Sequence, residues 1–240
     1  MTTQTLPIEL YYWPTPNGWK ISIMLEELGV PYTVKYVNIG KGEQFEPSFL
    51  KIAPNNRMPA IVDPEGPTAD GGWGGEPISI FESGAILQYL GRKFGKLYAA
   101  DERGRAEVDQ WLFWQVGGLG PMAGQAHHFR QYAPETNTYG IDRYTNEVNR
   151  LYGVMNKRLA DREFLAGGYS IADIASLGWI KPHKNQGQDL EDFHHLKRWY
   201  ETLLARPAVI AGLAVGEERR RSIVDDKDAQ KVLFGQRARA

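Results

Sequence analysis

Residues 8–39, IELYYWPTPNGWKISIMLEELGVPYTVKYVNI, change their periodicity twice, and those two changes decide the fold. Ile8 to Tyr12 is short, apolar and aromatic, and it stops at Pro14-Thr15-Pro16-Asn17-Gly18, a strand running into a loop. From Trp19 onward, Ile21, Met24, Leu25 and Leu28 recur at helical spacing, with Glu26 and Glu27 turned outward and Gly29 as the stop. Tyr32 to Ile39 returns to an alternation of β-branched and aromatic residues, a second strand. Strand, helix and strand in so short a space form a βαβ unit, because parallel strands can be joined only by a crossover.

Working outward, Ala60 to Asp63 and Ile78 to Phe81 are two further short strands. The Gly- and Pro-rich segment 64–77 between them predicts a turn or a hairpin tip. Ser83 to Phe94 is a helix with Ala85, Ile86, Tyr89 and Leu90 on one face. The order β-α-β followed by β-β-α predicts an α/β thioredoxin-like domain over residues 1–94. Beyond a linker at 95–104, strand signals vanish, and residues 105–240 are expected to form an all-α domain. Its predicted helices are Arg105 to Val116, Asp142 to Ala160, Ser170 to Ile180 and His195 to Ala205. Within it, Ser170-Ile171-Ala172-Asp173 has the S-x-x-D pattern of a capping box. The charged stretch from Glu217 to Ala240 is expected to lie over the surface as a tail.

Composition narrows the function classes. The 240 residues are 42% hydrophobic and 24% charged with a formal net charge of -1, which offers no electrostatic footprint for nucleic acid or an anionic membrane. No run approaches the roughly 18 apolar residues of a membrane span, and MTTQTLPIEL lacks the features of a signal peptide. A cytoplasmic location is expected. Cysteine is absent, which excludes disulfides, thiolate-held metals and a protein thiol nucleophile. Any sulfur chemistry must use sulfur brought by the substrate. His127-His128 and His194-His195 predict no metal site, because neighbours in a helix do not share a face.

Three segments carry candidate chemistry. In Asn56-Arg57-Met58-Pro59-Ala60, a cis Met58–Pro59 bond would present the Met58 backbone as a free strand edge for a peptide-like ligand; without it the segment is a loop-to-strand turn. At Glu82-Ser83-Gly84 a strand passes into a helix. Ser83, at or near the N-cap, could take a carboxylate and Glu82 an ammonium, or Ser83 could simply cap the helix. Thr15 and Asn17 stand at the C-terminal end of the first strand, where ligands favour open α/β sheets. A hydroxyl or amide there can donate to a thiolate and lower a bound thiol's pKa from about 8.5, or it can cap the helix. Tyr11 and Tyr12 are reserve candidates for the same task. Gly117-Gly118-Leu119-Gly120 lacks a preceding strand and predicts a break or bend in a helix rather than a phosphate loop. Trp111, Phe113 and Trp114 are expected in the core or a cleft wall.

Taken together, PTPNGWK, GKGEQF, PNNRMPAIVD, ESGAILQYL, LFWQVGGLGPMAGQAHHF and YSIADIA resemble the nu class of the glutathione transferase superfamily, the disulfide-bond reductase type. The resemblance runs from about Ile8 to about Pro207 and is silent on the insert around Trp73 and on the tail after Gly216. It implies that Thr15 and Asn17 sit at the glutathione sulfur in place of a catalytic tyrosine. Gln44 and Arg57 are implied as ligands for carboxylate or backbone groups, and Met58 with Pro59 as the pairing edge for the cysteinyl backbone. Glu82 and Ser83 are implied to hold the γ-glutamyl end, and Arg143 to reach the ligand from the helical domain. Arg57 replaces a lysine of some relatives, which keeps the charge and changes the donor geometry. The resemblance implies binding of two glutathiones or one glutathione disulfide and reduction of small disulfides at their expense, with glutathione as co-substrate and a homodimer as the assembly. Conjugation of glutathione to an electrophile, and a glutathione-binding regulatory role without catalysis, are the alternatives. Relatives in nitrogen regulation carry a long Asn/Gln-rich segment before the first strand, where this sequence has about six residues.

Overall fold

A computed structural model of the chain describes residues 4–237, which divide into two units, one running to Phe94 and resuming at Ala211, the other spanning Gly95–Ile210. In the first unit, β1 (Ile8–Tyr12) alternates fully buried Ile8, Leu10 and Tyr12 with half-buried neighbours, as a strand between two covered faces should. The first helix, α1 (Pro16–Leu28), begins three residues earlier than its apolar spacing predicts. Pro16 opens it, since a missing N–H costs nothing there, and the Thr15 side chain accepts from the Gly18 N–H. Gly29 closes it in the left-handed region at φ 68°. Within α1, Ile21, Ile23, Met24 and Leu25 are wholly buried, each contributing about 1.5–3 kcal/mol of hydrophobic stabilisation.

β2 (Tyr32–Tyr36) pairs parallel with β1 and ends short of the expected Ile39, because the chain turns after Val37 donates to the Tyr12 carbonyl. A four-residue helix, α2 (Pro47–Leu50), leads to β3 (Ala60–Asp63). The Gly-rich insert is a small hairpin of β4 (Gly66–Pro67) and β5 (Trp73–Gly75), followed by β6 (Ile78–Phe81) and α3 (Ser83–Phe94). Sheet order is β2-β1-β3-β6, with β3 antiparallel to both β1 and β6. The insert is anchored by Trp73, whose ring meets Tyr89 edge-on at 5.5 Å. Beneath it, buried Asp63 receives hydrogen bonds from Lys93 Nζ and the Tyr89 hydroxyl, both at 2.6 Å.

The second unit holds α4 (Glu102–Trp114), α5 (Gly120–Gln131), α6 (Thr138–Arg158), α7 (Ile171–Ile180) and α8 (His194–Leu204). Gln115–Leu119 joins α4 to α5 as a π-helical turn, so the glycine cluster reshapes a continuous helical path instead of ending it. α7 is buried on nearly every side, and its N-terminus carries the predicted capping box. The wholly buried Asp173 carboxylate accepts from the Leu165 and Ser170 amides at 3.0 and 3.1 Å and from Trp199 Nε1 at 2.8 Å. A carboxylate so enclosed is tolerable only with its oxygens satisfied.

Within α9 (Pro207–Ala214) the chain rejoins the first unit, at Ala211. The stretch from Glu217, expected with the helical domain, makes its described contacts with the thioredoxin-like one. Arg219 stacks on Tyr36 at 3.9 Å and Arg220 on Trp19 at 5.2 Å. Then α10 (Lys227–Phe234) closes on the loop after β2: a Cβ on Gly40 would lie 3.4 Å from the Ala229 methyl, and one on Gly42 3.7 Å from Val232. Charge marked this tail as surface, but the aromatic faces that seat its arginines belong to distant residues.

Candidate functional site

The strand register gathers three of the singled-out segments at one end of the sheet. Tyr11 pairs with Ala60 and Ala60 with Phe81, so the residue after β1, the Met58–Pro59 step before β3 and Glu82 after β6 fall side by side. The Met58–Pro59 bond is cis. Because β2 runs parallel to β1, the loop bearing Gln44 leaves from the same end.

Thr15 caps α1, its Oγ1 accepting from the Gly18 N–H at 3.2 Å and donating to Met58 Sδ at 3.6 Å. A thioether is a weak acceptor, so the hydroxyl proton is directed at a sulfur that binds it poorly. Asn17 is the second residue of α1, half-buried in that same first turn. The glycine that follows is obligatory, since a Cβ on Gly18 would stand 2.2 Å from the Trp13 carbonyl oxygen.

Both reserve tyrosines are engaged elsewhere. Tyr12 is wholly buried and donates to the Val215 carbonyl at 3.0 Å, and burial raises its pKa far above that of free tyrosine. Tyr11 donates to Glu9 and packs on Phe49, and burial, then Glu9, raises its pKa as well. Neither is suited to yield a phenolate or to polarise a thiol.

At the start of α3, Ser83 lies next to the cap position. Glu82 occupies the cap position, its carbonyl accepting from the Ile86 N–H, and Ser83 is the first helical residue. Glu82 is held at φ 69°, a left-handed conformation costing about 1–3 kcal/mol for such a residue. Its exposed carboxylate accepts from Asn55 Nδ2 at 3.2 Å. Ser83 Oγ accepts from Lys20 Nζ at 3.2 Å. Lys20 is 2% exposed, and burial lowers its pKa to about 7 against the opposing pull of Glu82. The sequence reading did not single out Lys20. Its signal was a lone cation in the run WKISIML, three and four residues before the buried Ile23 and Met24 and so on their helix face.

Gln44 is 1% exposed; its amide donates to the Ile39 carbonyl at 3.2 Å, while Oε1 is buried and accepts from no described group. Arg57 is exposed beside Met58. Arg143 belongs to the second unit, exposed on α6 in a depression shared with Tyr139, Asp142, Asn146, Glu147 and Arg150. Among the described residues, no group of three or more His, Cys, Asp or Glu could hold a metal ion, and no helix is long and apolar enough to cross a membrane.

The arrangement offers a strand edge, a helix start with an ammonium beneath it, a carboxylate beside it and a hydroxyl aimed at sulfur. Comparison with known proteins agrees. The glutathione S-transferase N-terminal domain matches residues 6–92, and the C-terminal domain residues 123–207. The Escherichia coli disulfide-bond oxidoreductase YfcG is 51% identical over 216 residues, covering 88% of this chain and 98% of the relative. A glutathione transferase from Pseudomonas putida, solved with one glutathione disulfide per subunit, is 42% identical with a TM-score of 0.81, over 87% of this chain and 91% of that one. Another from Pseudomonas fluorescens, with two glutathiones bound, is 44% identical with a TM-score of 0.79, over 86% and 92%. The chain, with its thioredoxin-like first domain and its helical second, belongs to the glutathione S-transferase family.

Proposed function

We propose that the protein reduces small disulfides at the expense of two glutathiones held at the end of the β1-β3-β6 sheet. The observation that carries this reading is the Thr15 hydroxyl, whose proton, among the described residues, faces a thioether sulfur in a chain with no cysteine. A glutathione thiolate placed there is a far stronger acceptor than Met58, and the N-terminus of α1 adds its partial positive charge. The bound thiolate attacks one sulfur of the substrate disulfide, forming a mixed disulfide and expelling the other sulfur as thiolate. A second glutathione thiolate resolves it, leaving glutathione disulfide and the second substrate thiol. Two electrons pass from two glutathiones to one disulfide, and the protein contributes alignment and thiolate stabilisation.

The same geometry supports a placement for the ligand's ends. The Met58 backbone pairs with the cysteinyl unit, Ser83 with the γ-glutamyl carboxylate and Glu82 with its ammonium. Asn17 supports the thiolate beside Thr15, and Arg57 supplies charge for a remaining carboxylate. Gln44, buried as it is, shapes the loop after β2 and reaches the ligand only through its unpartnered oxygen. A cytoplasmic homodimer, as in the family resemblance, completes the reading.

The test is glutathione-dependent reduction of bis(2-hydroxyethyl) disulfide, with the thiol product measured directly and the uncatalysed rate subtracted. Saturable turnover is expected. A rate equal to buffer would overturn the reductase reading, and the same preparation assayed with a chloronitrobenzene electrophile would then show whether the thiolate serves conjugation instead.

A further inference from the structure

A buried lysine under the γ-glutamyl end is the group that the reaction itself leaves unused. Lysine ammonium can only donate, so the 3.2 Å contact from Lys20 Nζ occupies a lone pair of Ser83 Oγ. A serine hydroxyl that has accepted in this way turns its own hydrogen elsewhere. Ser83 is the first residue of α3, where backbone N–H groups lack helical partners and point outward. Its hydrogen is thereby turned toward the same side as those backbone donors.

The geometry points to Lys20 as a positioning residue that turns the Ser83 hydroxyl hydrogen toward the ligand and sets a positive charge behind it, and so favours a carboxylate over a neutral group at the γ-glutamyl end. This rests on the placement of glutathione given above. Two observations support it. Lys20 is 2% exposed, and an ammonium with so little water is retained in folded proteins where its charge is used or compensated. Of the groups packed around it from α1 and the start of α3, Glu82 favours the ammonium, while burial opposes it and brings its pKa down to about 7. The ammonium is thus poised to gain from a second negative charge, the ligand carboxylate, arriving at Ser83.

The experiment compares two ligands on two proteins. Glutathione and its analogue with 4-aminobutyryl in place of γ-glutamyl differ only by the α-carboxylate, and both keep the amine that Glu82 would hold. Dissociation constants are measured by calorimetry for the wild type and for Lys20→Met. The wild type is expected to prefer glutathione, and Lys20→Met to lose about tenfold of that preference with binding of the analogue little changed, as fits one charge-assisted hydrogen bond. A variant that merely loosened the fold would weaken both ligands alike, and that outcome overturns the proposal. If the variant keeps the full preference, Lys20 has no role at the carboxylate while the γ-glutamyl assignment stands. Equal binding of both ligands by the wild type would overturn that assignment and Lys20's role with it. Should Lys20→Met fail to fold, lysines labelled with ¹³C at Cε in the wild type give the same answer. The buried lysine, recognised by titrating well below the others, is expected to shift its midpoint upward with glutathione and not with the analogue; equal shifts overturn the proposal.

Discussion

Thr15 does two things that can be separated by substitution. It caps α1 through the Gly18 N–H at 3.2 Å, and it directs its own proton toward sulfur. Loss of an N-cap costs about 1 kcal/mol, whereas a hydrogen bond to a charged group is worth about 1.5–3 kcal/mol. At about 1.4 kcal/mol per pKa unit, the second role predicts that Thr15→Ala raises the pKa of bound glutathione by about one to two units. Thr15→Ser should leave both properties intact. Thr15→Asp is the decisive variant, because aspartate caps as well as threonine yet places a carboxylate against the thiolate. Its expected result is unchanged urea stability with turnover lost. The bound thiol is titrated by its far-ultraviolet thiolate absorbance, which no protein cysteine obscures in this chain. If Thr15→Ala loses about 1 kcal/mol of stability while the bound thiol titrates as in the wild type, Thr15 is a cap alone.

Tyr12→Phe should leave the thiol pKa and turnover unchanged and cost about 1 kcal/mol in urea unfolding, the worth of its hydrogen bond to the Val215 carbonyl; a fall in turnover without loss of stability would return Tyr12 to candidacy. The Lys20 ammonium, lowered by burial from 10.5 to about 7, makes the unfolded chain bind more protons between those pH values, so this group adds stability as pH rises through that window. Lys20→Met is therefore expected to exceed the wild type in urea stability at pH 6 and to lose that advantage toward pH 10; a constant difference would refute the linkage. Ending the chain after Arg221 removes α10 from Gly40 and Gly42, and hydrogen exchange should quicken at residues 40–46 while β1 stays protected. Unchanged exchange there would show that the tail does not order the Gln44 loop.

Much of this protein was legible from its sequence because the deciding signals are local. The periodicities of Ile8–Tyr12, Ile21–Leu28 and Tyr32–Tyr36 report which faces are covered, Thr15 and Ser170 mark helix starts by side-chain chemistry acting within a few residues, and Gly29 marks a helix end because it lacks a Cβ. The absence of cysteine by itself assigned both sulfurs of any exchange to small molecules. Family motifs named the candidate residues, but not how they are engaged. That Tyr12 is consumed by Val215, that Arg219 and Arg220 seat the tail on Tyr36 and Trp19, and that Ser83 answers to Lys20 are contacts between residues far apart in the chain. No periodicity encodes such pairs, because a side chain's pattern tells that it is buried and not which distant group it meets. Lys20 shows the division most clearly: its place on the apolar face of α1 follows from spacing, while its hold on the Ser83 hydroxyl exists only once α3 has packed against that face.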